Sequence, residues 1–288
     1  MNDLNSGNCC PICKTDDVTD AYSGPIRIGG PESIEREFSS VRNCSECEVQ
    51  FLYPRPSSNP RYVPDPNNQS KYARKIGEQQ RWVAKIGLDS FAHQTILEVG
   101  AGSGYFLDIV RTVASKCHAV EIEPACDSLL MSKADFVYRS VDEVPASSIE
   151  VAVSFDVLEH VSDPVELLRS VRSLLREEGI LWVGVPNQHD YLLEIEPSYA
   201  PFFYHDSHLW YFNHRSLSRV AQLAGFEVEQ IIGVHKYDFG NLVNWLSAKA
   251  PNGRVVSDEL MTAGRSFARG LEETLRSSHL LVRLSKTT

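Results

Sequence analysis

Between residues 95 and 185 the chain alternates short apolar runs with amphipathic stretches, and this alternation constrains the fold more than any other feature. Apolar runs of strand length lie at 95–99, 118–122, 135–138, 150–155 and 180–185. Helices are predicted over 105–114, from Pro124, and from Pro164. In the last of these Val165, Leu168, Val171, Leu174 and Leu175 fall on one face before Gly179 ends the helix. Strands joined through helices pair by crossover connections, so the pattern demands a parallel sheet covered by helices on both faces. Downstream, a helix over 216–223 stops at Gly225 and a strand follows at 226–232. Two more helices, at 241–248 and 258–275, precede a last strand at 279–284. The expected class is α/β: an open sheet of about seven mostly parallel strands, with a helical insertion near 240–275.

Where the first of these strands ends, residues 97–104 read Leu-Glu-Val-Gly-Ala-Gly-Ser-Gly. A glycine-rich turn there puts backbone amides at the carboxyl edge of the sheet, where open α/β sheets bind ligands. Gly104 comes one residue too early for a dinucleotide fingerprint, and the Gly-Lys-Ser/Thr of a phosphate-binding loop is missing. Glu98 is ill-suited to a pyrophosphate but complements a ligand carrying an ammonium and a sulfonium, such as S-adenosylmethionine (SAM). Glu121 ends the next strand, where a carboxylate accepts both hydroxyl protons of a ribose, with Glu123 as the alternative.

On Glu98, Gly100, Gly102, Gly104 and Glu121 the chain resembles the class I SAM-dependent methyltransferases, whose motif is E/D-x-G-x-G-x-G followed by an acid ending the second strand. The run Phe155-Asp156-Val157-Leu158-Glu159-His160-Val161-Ser162-Asp163-Pro164 is similar to the family's segment after its fourth strand, and 179–187 to its fifth strand. His208-Leu209-Trp210-Tyr211-Phe212 resembles an element of a subgroup that includes ubiquinone-pathway and sugar-modifying methyltransferases. The resemblance covers residues 95–232 and the last strand. It implies a Rossmann-like fold, SAM as cofactor, and cofactor contacts from Glu98, Gly100, Ala101, Gly102, Gly104, Glu121, Ile122, Val141 and Phe155. The family often places an Asp after the third strand, against the adenine amine. Ser140 stands there instead, with Asp142 as a substitute.

Methyl transfer requires alignment of a nucleophile behind the donor and exclusion of water. An oxygen nucleophile or an acidic carbon gains from a general base. His160 stands at the carboxyl edge beside the expected methyl donor and titrates near neutrality. Glu159 beside it could orient a donor or bind a metal. The resemblance also allows this Glu-His pair simply to shape the methionine end of the pocket. His208, with Tyr211 nearby, is the rival base, because its element follows the fifth strand and can cap the acceptor pocket. The run 205–208, His-Asp-Ser-His, has the spacing of a metal cluster and equally that of a loop rich in aromatics. His160, His208 and Tyr211 are the candidate catalytic residues.

Cys10-Pro11-Ile12-Cys13 and Cys44-Ser45-Glu46-Cys47 are two C-x2-C knuckles. Four thiolates so arranged suit a tetrahedral structural zinc, and a small unit with few apolar residues needs such a staple. A redox dithiol is the alternative. Cys9 is the spare, or exchanges with Cys10; Cys117 and Cys126 read as core fillers. Strand-like residues 37–42 and 49–53 flank the second knuckle as in a hairpin, with 23–39 as an excursion. The proline-rich stretch that follows cannot continue a helix or central strand. The expected organisation is a zinc-ribbon-like unit over 1–54, a linker over 55–70 and a methyltransferase domain over 71–288. Some sugar C-methyltransferases of antibiotic pathways carry a similar Cys-paired front end that helps hold the acceptor; a structural cap is the plainer role. If the cap closes over the sheet edge, Tyr53, Tyr62 and Tyr72 could line the acceptor pocket.

The 288 residues allow one sizeable α/β core and a small accessory unit. A formal net charge of −10 repels phosphate backbones, which disfavours nucleic acid as a partner. The expected acceptor is a small molecule, a sugar or a biosynthetic intermediate with a hydroxyl or an activated carbon. The alternatives are methylation of RNA or another macromolecule, and SAM binding without turnover. Residues 1–5 lack the features of a signal peptide, and no apolar run is long enough to span a bilayer. The expectation is a cytoplasmic protein without a membrane partner, with room for a homodimer.

Overall fold

The computed structural model describes residues 9–29, 35–55, 69–251 and 258–287. Along the chain its strands are β1 (Val18–Arg27), β2 (Arg36–Cys44), β3 (Gln50–Tyr53), β4 (Thr95–Val99), β5 (Lys116–Val120), β6 (Phe136–Tyr138), β7 (Ile149–Phe155), β8 (Leu175–Pro186), β9 (Trp210–Tyr211), β10 (Phe226–Val234) and β11 (His279–Lys286). Seven of them build the sheet that the alternation demanded, in the order β10-β11-β8-β7-β4-β5-β6. Strands β4 to β8 run parallel, while β11 is antiparallel to both β8 and β10. Strand order reverses at β4, which has β5 on one side and β7 on the other. At such a switch point the connections leave in opposite directions and open a crevice at the carboxyl ends of the strands.

The central strands are apolar throughout because both of their faces are covered. Along β7, Val151 and Val153 point into one core with Trp82, Phe106 and Ile96, while Ala152 points into the other with Leu97, Val165 and Leu168. Trp82, on the helix Gln69–Ile86, stacks on Phe155 with ring centroids 5.2 Å apart. The opposite face is covered by the helix Pro164–Leu174, started by Asp163, whose carboxylate accepts the Val165 and Glu166 N–H groups at 3.0 Å. A cap of this kind contributes about 1 kcal/mol. Cys117 and Cys126 are core residues, as their isolation from the knuckles suggested.

Several boundaries differ from those predicted, and three have a clear cause or consequence. The helix from Pro164 ends at Leu174, ahead of Gly179, because Leu175 already pairs with Ile149 in the sheet. Gly179 lies where β8 shifts register against β7, in an excursion between Leu175 and Ile180. The helix begun at Tyr105 stops at Val110. Strand β5 starts two residues early, at Lys116, so Glu121 falls just past its end.

A second, antiparallel sheet has the order β1-β2-β3-β9. Its fourth strand comes from far downstream: Gln50 pairs with Tyr211 and Phe51 with Trp210. The region expected to form an excursion is largely the β1–β2 ribbon. This sheet has its own core, in which Ile26, Val41 and Leu52 pack with Tyr199, Tyr204, Tyr211 and Trp245. The helices Phe239–Ala248 and Asp258–Glu273 precede β11, where two helices were predicted. Residues 56–68 of the proposed linker, Tyr62 among them, and 30–34 of the excursion lie outside the described residues, as does the side chain of Tyr72.

Candidate active site

The turn after β4 explains its glycines. Gly100, Gly102 and Gly104 have φ of +75°, +53° and +72°, a left-handed region that other residues occupy at a cost. A Cβ on Gly100 would also collide with the Val157 side chain. The Gly100 and Ala101 amides are fastened to the Val120 carbonyl at 2.9 and 3.1 Å. Gly104 starts the helix Tyr105–Val110, and the Lys133 ammonium clasps the turn by donating to the Ser103 carbonyl (2.8 Å) and to Asp108 (2.6 Å).

Two carboxylates flank this turn. Glu98 is only 4% exposed, and its Oε2 is buried without a hydrogen-bond partner. Burial, followed by the nearby Glu121 carboxylate, holds its pKa well above the ordinary range. Glu121 accepts the Gly102 N–H at 2.6 Å with one oxygen and the Glu123 N–H at 2.8 Å with the other, which fixes the carboxylate at the crevice. Glu123 is turned to another task, accepting the Ala125 N–H as a helix cap. Ile122, directly beside Glu121, is an apolar side chain 82% exposed. Ser140 accepts the Asp142 N–H and caps the turn Val141–Glu143, which puts Ser140, Val141 and Asp142 just past the end of β6.

Beyond β7 lies a cluster of imidazoles. His160 Nδ1 lies 2.6 Å from the Ser207 carbonyl and must donate to it, so the neutral ring carries its lone pair on Nε2. The His208 ring stands 4.7 Å from that of His160 and 3.6 Å from that of His205. Its Nε2 is 3.7 Å from a Glu159 oxygen, and its Nδ1 is buried without a hydrogen bond. Burial lowers the pKa of His160, and lowers that of His208 further, with the neighbouring His205 and His160 adding to the effect. Both rings are neutral bases at pH 7. Burial, reinforced by Asp156, keeps the Glu159 pKa well above its usual value. The ligand atoms of Glu159, His160 and His208 lie within 4.8 Å of one another. Tyr211 is placed differently from a group facing substrate: its hydroxyl donates to the His205 carbonyl (3.1 Å) and accepts the His205 N–H (3.0 Å), pinning the 205–208 turn.

Several site residues escaped sequence reasoning. Asp156 directly follows β7 at φ +56°, in a sparsely populated conformation of the kind found at functional sites. It pairs with Lys236 at 2.7 Å and lies 3.7 Å from His279. A cavity of about 110 Å³ adjoins His279 and is lined also by Arg27, Asp190, His205, His208 and Tyr237 among others. Its tyrosines are Tyr199 and Tyr237 rather than Tyr53. Burial pushes the Asp190 carboxyl up to about 6, against the Leu192 N–H and Tyr199 hydroxyl that bond it. Lys236 and His279 begin or follow strands and carry no local motif, so only the fold could reveal them.

The four knuckle cysteines converge, with every Sγ within 4.8 Å of the others. Cys10 and Cys47 Sγ are 3.6 Å apart, and Cys13 and Cys44 Sγ 3.4 Å. Four sulfurs about 2.3 Å from a central zinc stand about 3.8 Å apart, close to this spacing. The two knuckles repeat one backbone pattern: the Lys14 N–H donates to the Cys10 carbonyl and the Glu48 N–H to the Cys44 carbonyl, each at 3.0 Å. Lys14 and Glu48 both have positive φ, 66° and 59°. The Cys47 N–H donates to Cys44 Sγ at 3.4 Å.

A seven-strand sheet of this order, with a glycine turn after its first strand, a buried carboxylate under that turn and an acid after the next strand, defines the Rossmann-like class I methyltransferase fold. The profile of the Methyltransferase domain family matches residues 69–231, more than half of the chain, and the chain belongs to that family. A protein of Mycolicibacterium smegmatis (strain ATCC 700084 / mc(2)155) named a probable S-adenosylmethionine-dependent methyltransferase is 28% identical over 170 residues. That match covers 55% of this chain, and the chain spans only 64% of that relative's length. A ubiquinone biosynthesis O-methyltransferase of Thiobacillus denitrificans is 24% identical over 223 residues, 64% of this chain and 89% of that protein. The crystal structure of a SAM-dependent methyltransferase from Archaeoglobus fulgidus shares the fold, with a TM-score of 0.53 and 16% identity over 76% of this chain and all of that one. No helix among the described residues is long and apolar enough to cross a membrane.

Proposed function

We propose that the chain binds SAM across the Gly100–Gly104 turn and transfers its methyl group to a small-molecule acceptor held in the cavity lined by His208 and Tyr237. The observation that carries this reading is Glu98, a buried carboxylate with an unsatisfied oxygen directly under a turn of left-handed glycines. An ammonium there turns the unfavourable burial of an acid into a charge-assisted hydrogen bond. Glu121 would hold the ribose hydroxyls, and Ile122, Ser140, Val141 and Phe155 would border the adenosine, with Asp142 as a second partner for the base. SAM supplies the electrophilic methyl; the chain's own work is to align the acceptor, exclude water and take up a proton.

His208 is the general base in this reading, because it lines the cavity as a neutral imidazole. His160 backs it, and Tyr211 is a positioning residue that fixes the turn carrying His208. The acceptor is a sugar or a biosynthetic intermediate methylated at a hydroxyl or activated carbon. The ubiquinone-pathway relative supports an oxygen acceptor, and the Cys-paired front end supports the sugar-modifying subgroup. Cys10, Cys13, Cys44 and Cys47 would hold a structural zinc, in keeping with their sulfur spacing. The test is transfer of a labelled methyl from SAM to a panel of hydroxylated small molecules. Turnover that is lost in Glu98→Gln and in His208→Gln supports the reading; labelled RNA as the sole product would replace it.

A further inference from the structure

Arg27 is the last residue of β1, and the small antiparallel sheet carries it into the wall of the cavity, where it is 6% exposed. Its backbone is fixed there: its N–H donates to the Tyr204 carbonyl and its carbonyl accepts the Asp206 N–H, both at 3.0 Å. Its side-chain partners among the described residues are neutral. Nε donates to the Phe202 carbonyl and Nη1 to the Gly29 carbonyl, each at 3.1 Å, and the guanidinium lies 4.8 Å over the Phe202 ring. The nearby carboxylates are committed elsewhere. Asp206 accepts the Gly29 N–H at 3.1 Å, and Asp190 accepts the Leu192 N–H and the Tyr199 hydroxyl. Among the described residues no carboxylate forms an ion pair with Arg27.

A guanidinium does not escape burial by losing its proton, as a lysine or histidine does, so a buried one without a counter-ion is costly to keep. Carbonyl dipoles and a ring face relieve only part of that cost. Among the described residues the Arg27 Nη2 group has no hydrogen-bond partner, and its side chain lines the cavity, so an anion can reach it from there. The protein as a whole is acidic, at −10, so this cation marks a local site and not a basic surface.

We propose that Arg27 anchors the acceptor through an oxyanion, a carboxylate or a phosphate, and so restricts the substrate class to anionic small molecules whose nucleophile then faces His208. This rests on the reading of the cavity as the acceptor site. It also gives the Cys-paired front end a role in substrate choice, since β1 delivers the selecting residue.

The test uses the full chain saturated with S-adenosylhomocysteine, titrated by calorimetry at fixed ionic strength. The probes are two pairs, 3,4-dihydroxybenzoate against catechol and glucose 6-phosphate against glucose. The expected result is that one anionic probe binds at least about tenfold more tightly than its neutral partner, and which pair responds tells carboxylate from phosphate. Arg27→Met removes the preference while S-adenosylhomocysteine affinity is retained; Arg27→Lys keeps the preference in weakened form. If Arg27→Met does not fold, the wild-type pairs and Arg27→Lys decide the matter. Equal binding within both pairs, no binding of either anion, or a preference intact in Arg27→Met overturns the proposal. Absence of S-adenosylhomocysteine binding in the wild type instead sinks the methyltransferase reading, so the two failures are distinguishable.

Discussion

The Glu121 carboxylate accepts the Gly102 N–H at 2.6 Å, which fastens the acid after β5 to the glycine turn after β4. The two halves of the proposed cofactor site are thereby one hydrogen-bonded unit, set without any ligand. A pre-set carboxylate loses little freedom on binding a ribose, which is the sense of building the site this way. Glu121→Ala is expected to weaken S-adenosylhomocysteine binding by about tenfold to a hundredfold, the cost of one charge-assisted contact and a loosened turn. Calorimetry measures it, and an unchanged affinity speaks against the assignment.

Glu98 adds a pH dependence. Its carboxyl is held well above the usual range in the free protein, whereas pairing with an ammonium requires the ionised form. Ligand binding therefore lowers its pKa and releases a proton, and affinity for SAM falls as pH drops below the raised pKa of the free group. Titrations in buffers of different ionisation enthalpy reveal the proton. In Glu98→Gln the affinity is lower and this pH dependence is gone.

The imidazoles move the acid limb of the rate profile. Burial lowers the pKa of both His160 and His208, so each is neutral through pH 7 and is protonated only below the ordinary value of about 6.5. With His208 as base, kcat/KM is level through neutrality and falls at a pH below that value. His208→Gln is expected to lower kcat by about a hundredfold to ten-thousandfold with little change in SAM affinity. An acid limb centred above 7, or full activity in the variant, removes His208 from the role.

Gly100→Ala tests the turn by sterics alone. The substitution places a Cβ against the Val157 side chain at a φ of +75°. The expected cost is about 1–3 kcal/mol of stability, read in denaturant melts, together with weaker S-adenosylhomocysteine binding. Gly77→Ala is the control, because nothing lies within 4 Å of its new Cβ and the position is helical. That change should be neutral or slightly stabilising.

The knuckle cysteines predict a metal-dependent front end. Atomic emission should find about one zinc per chain, lost in Cys44→Ser. Removal with a chelator lowers the melting temperature of the small sheet. Because Phe51 of β3 pairs with Trp210, the disturbance reaches the strand beside His208 and the acceptor cavity. Acceptor turnover is therefore expected to fall further than S-adenosylhomocysteine binding, measured on the same sample.

Much of the fold was legible because its signals are local. The glycine turn, the β4 and β7 runs and the Asp163-Pro164 helix start each show within a few residues of sequence. The helix end at Leu174 was not, because it is decided by pairing with Ile149 on another strand. In the same way β9 is two residues long and exists only through its partners in β3. The glycine turn could be read from one motif, whereas the proposed acceptor cavity is assembled from β1, the 186–208 segment, Tyr237 and the start of β11. Arg27 and His279 meet there across most of the chain length, with no spacing to announce them.

Titration of the full chain with S-adenosylhomocysteine, alongside Glu98→Gln and Glu121→Ala, tests the central claim most directly. The expected dissociation constant lies within the range of roughly 1 μM to 1 mM typical of enzyme ligands and is weakened in both variants. No binding at millimolar ligand, or equal binding by the wild type and both variants, would contradict it.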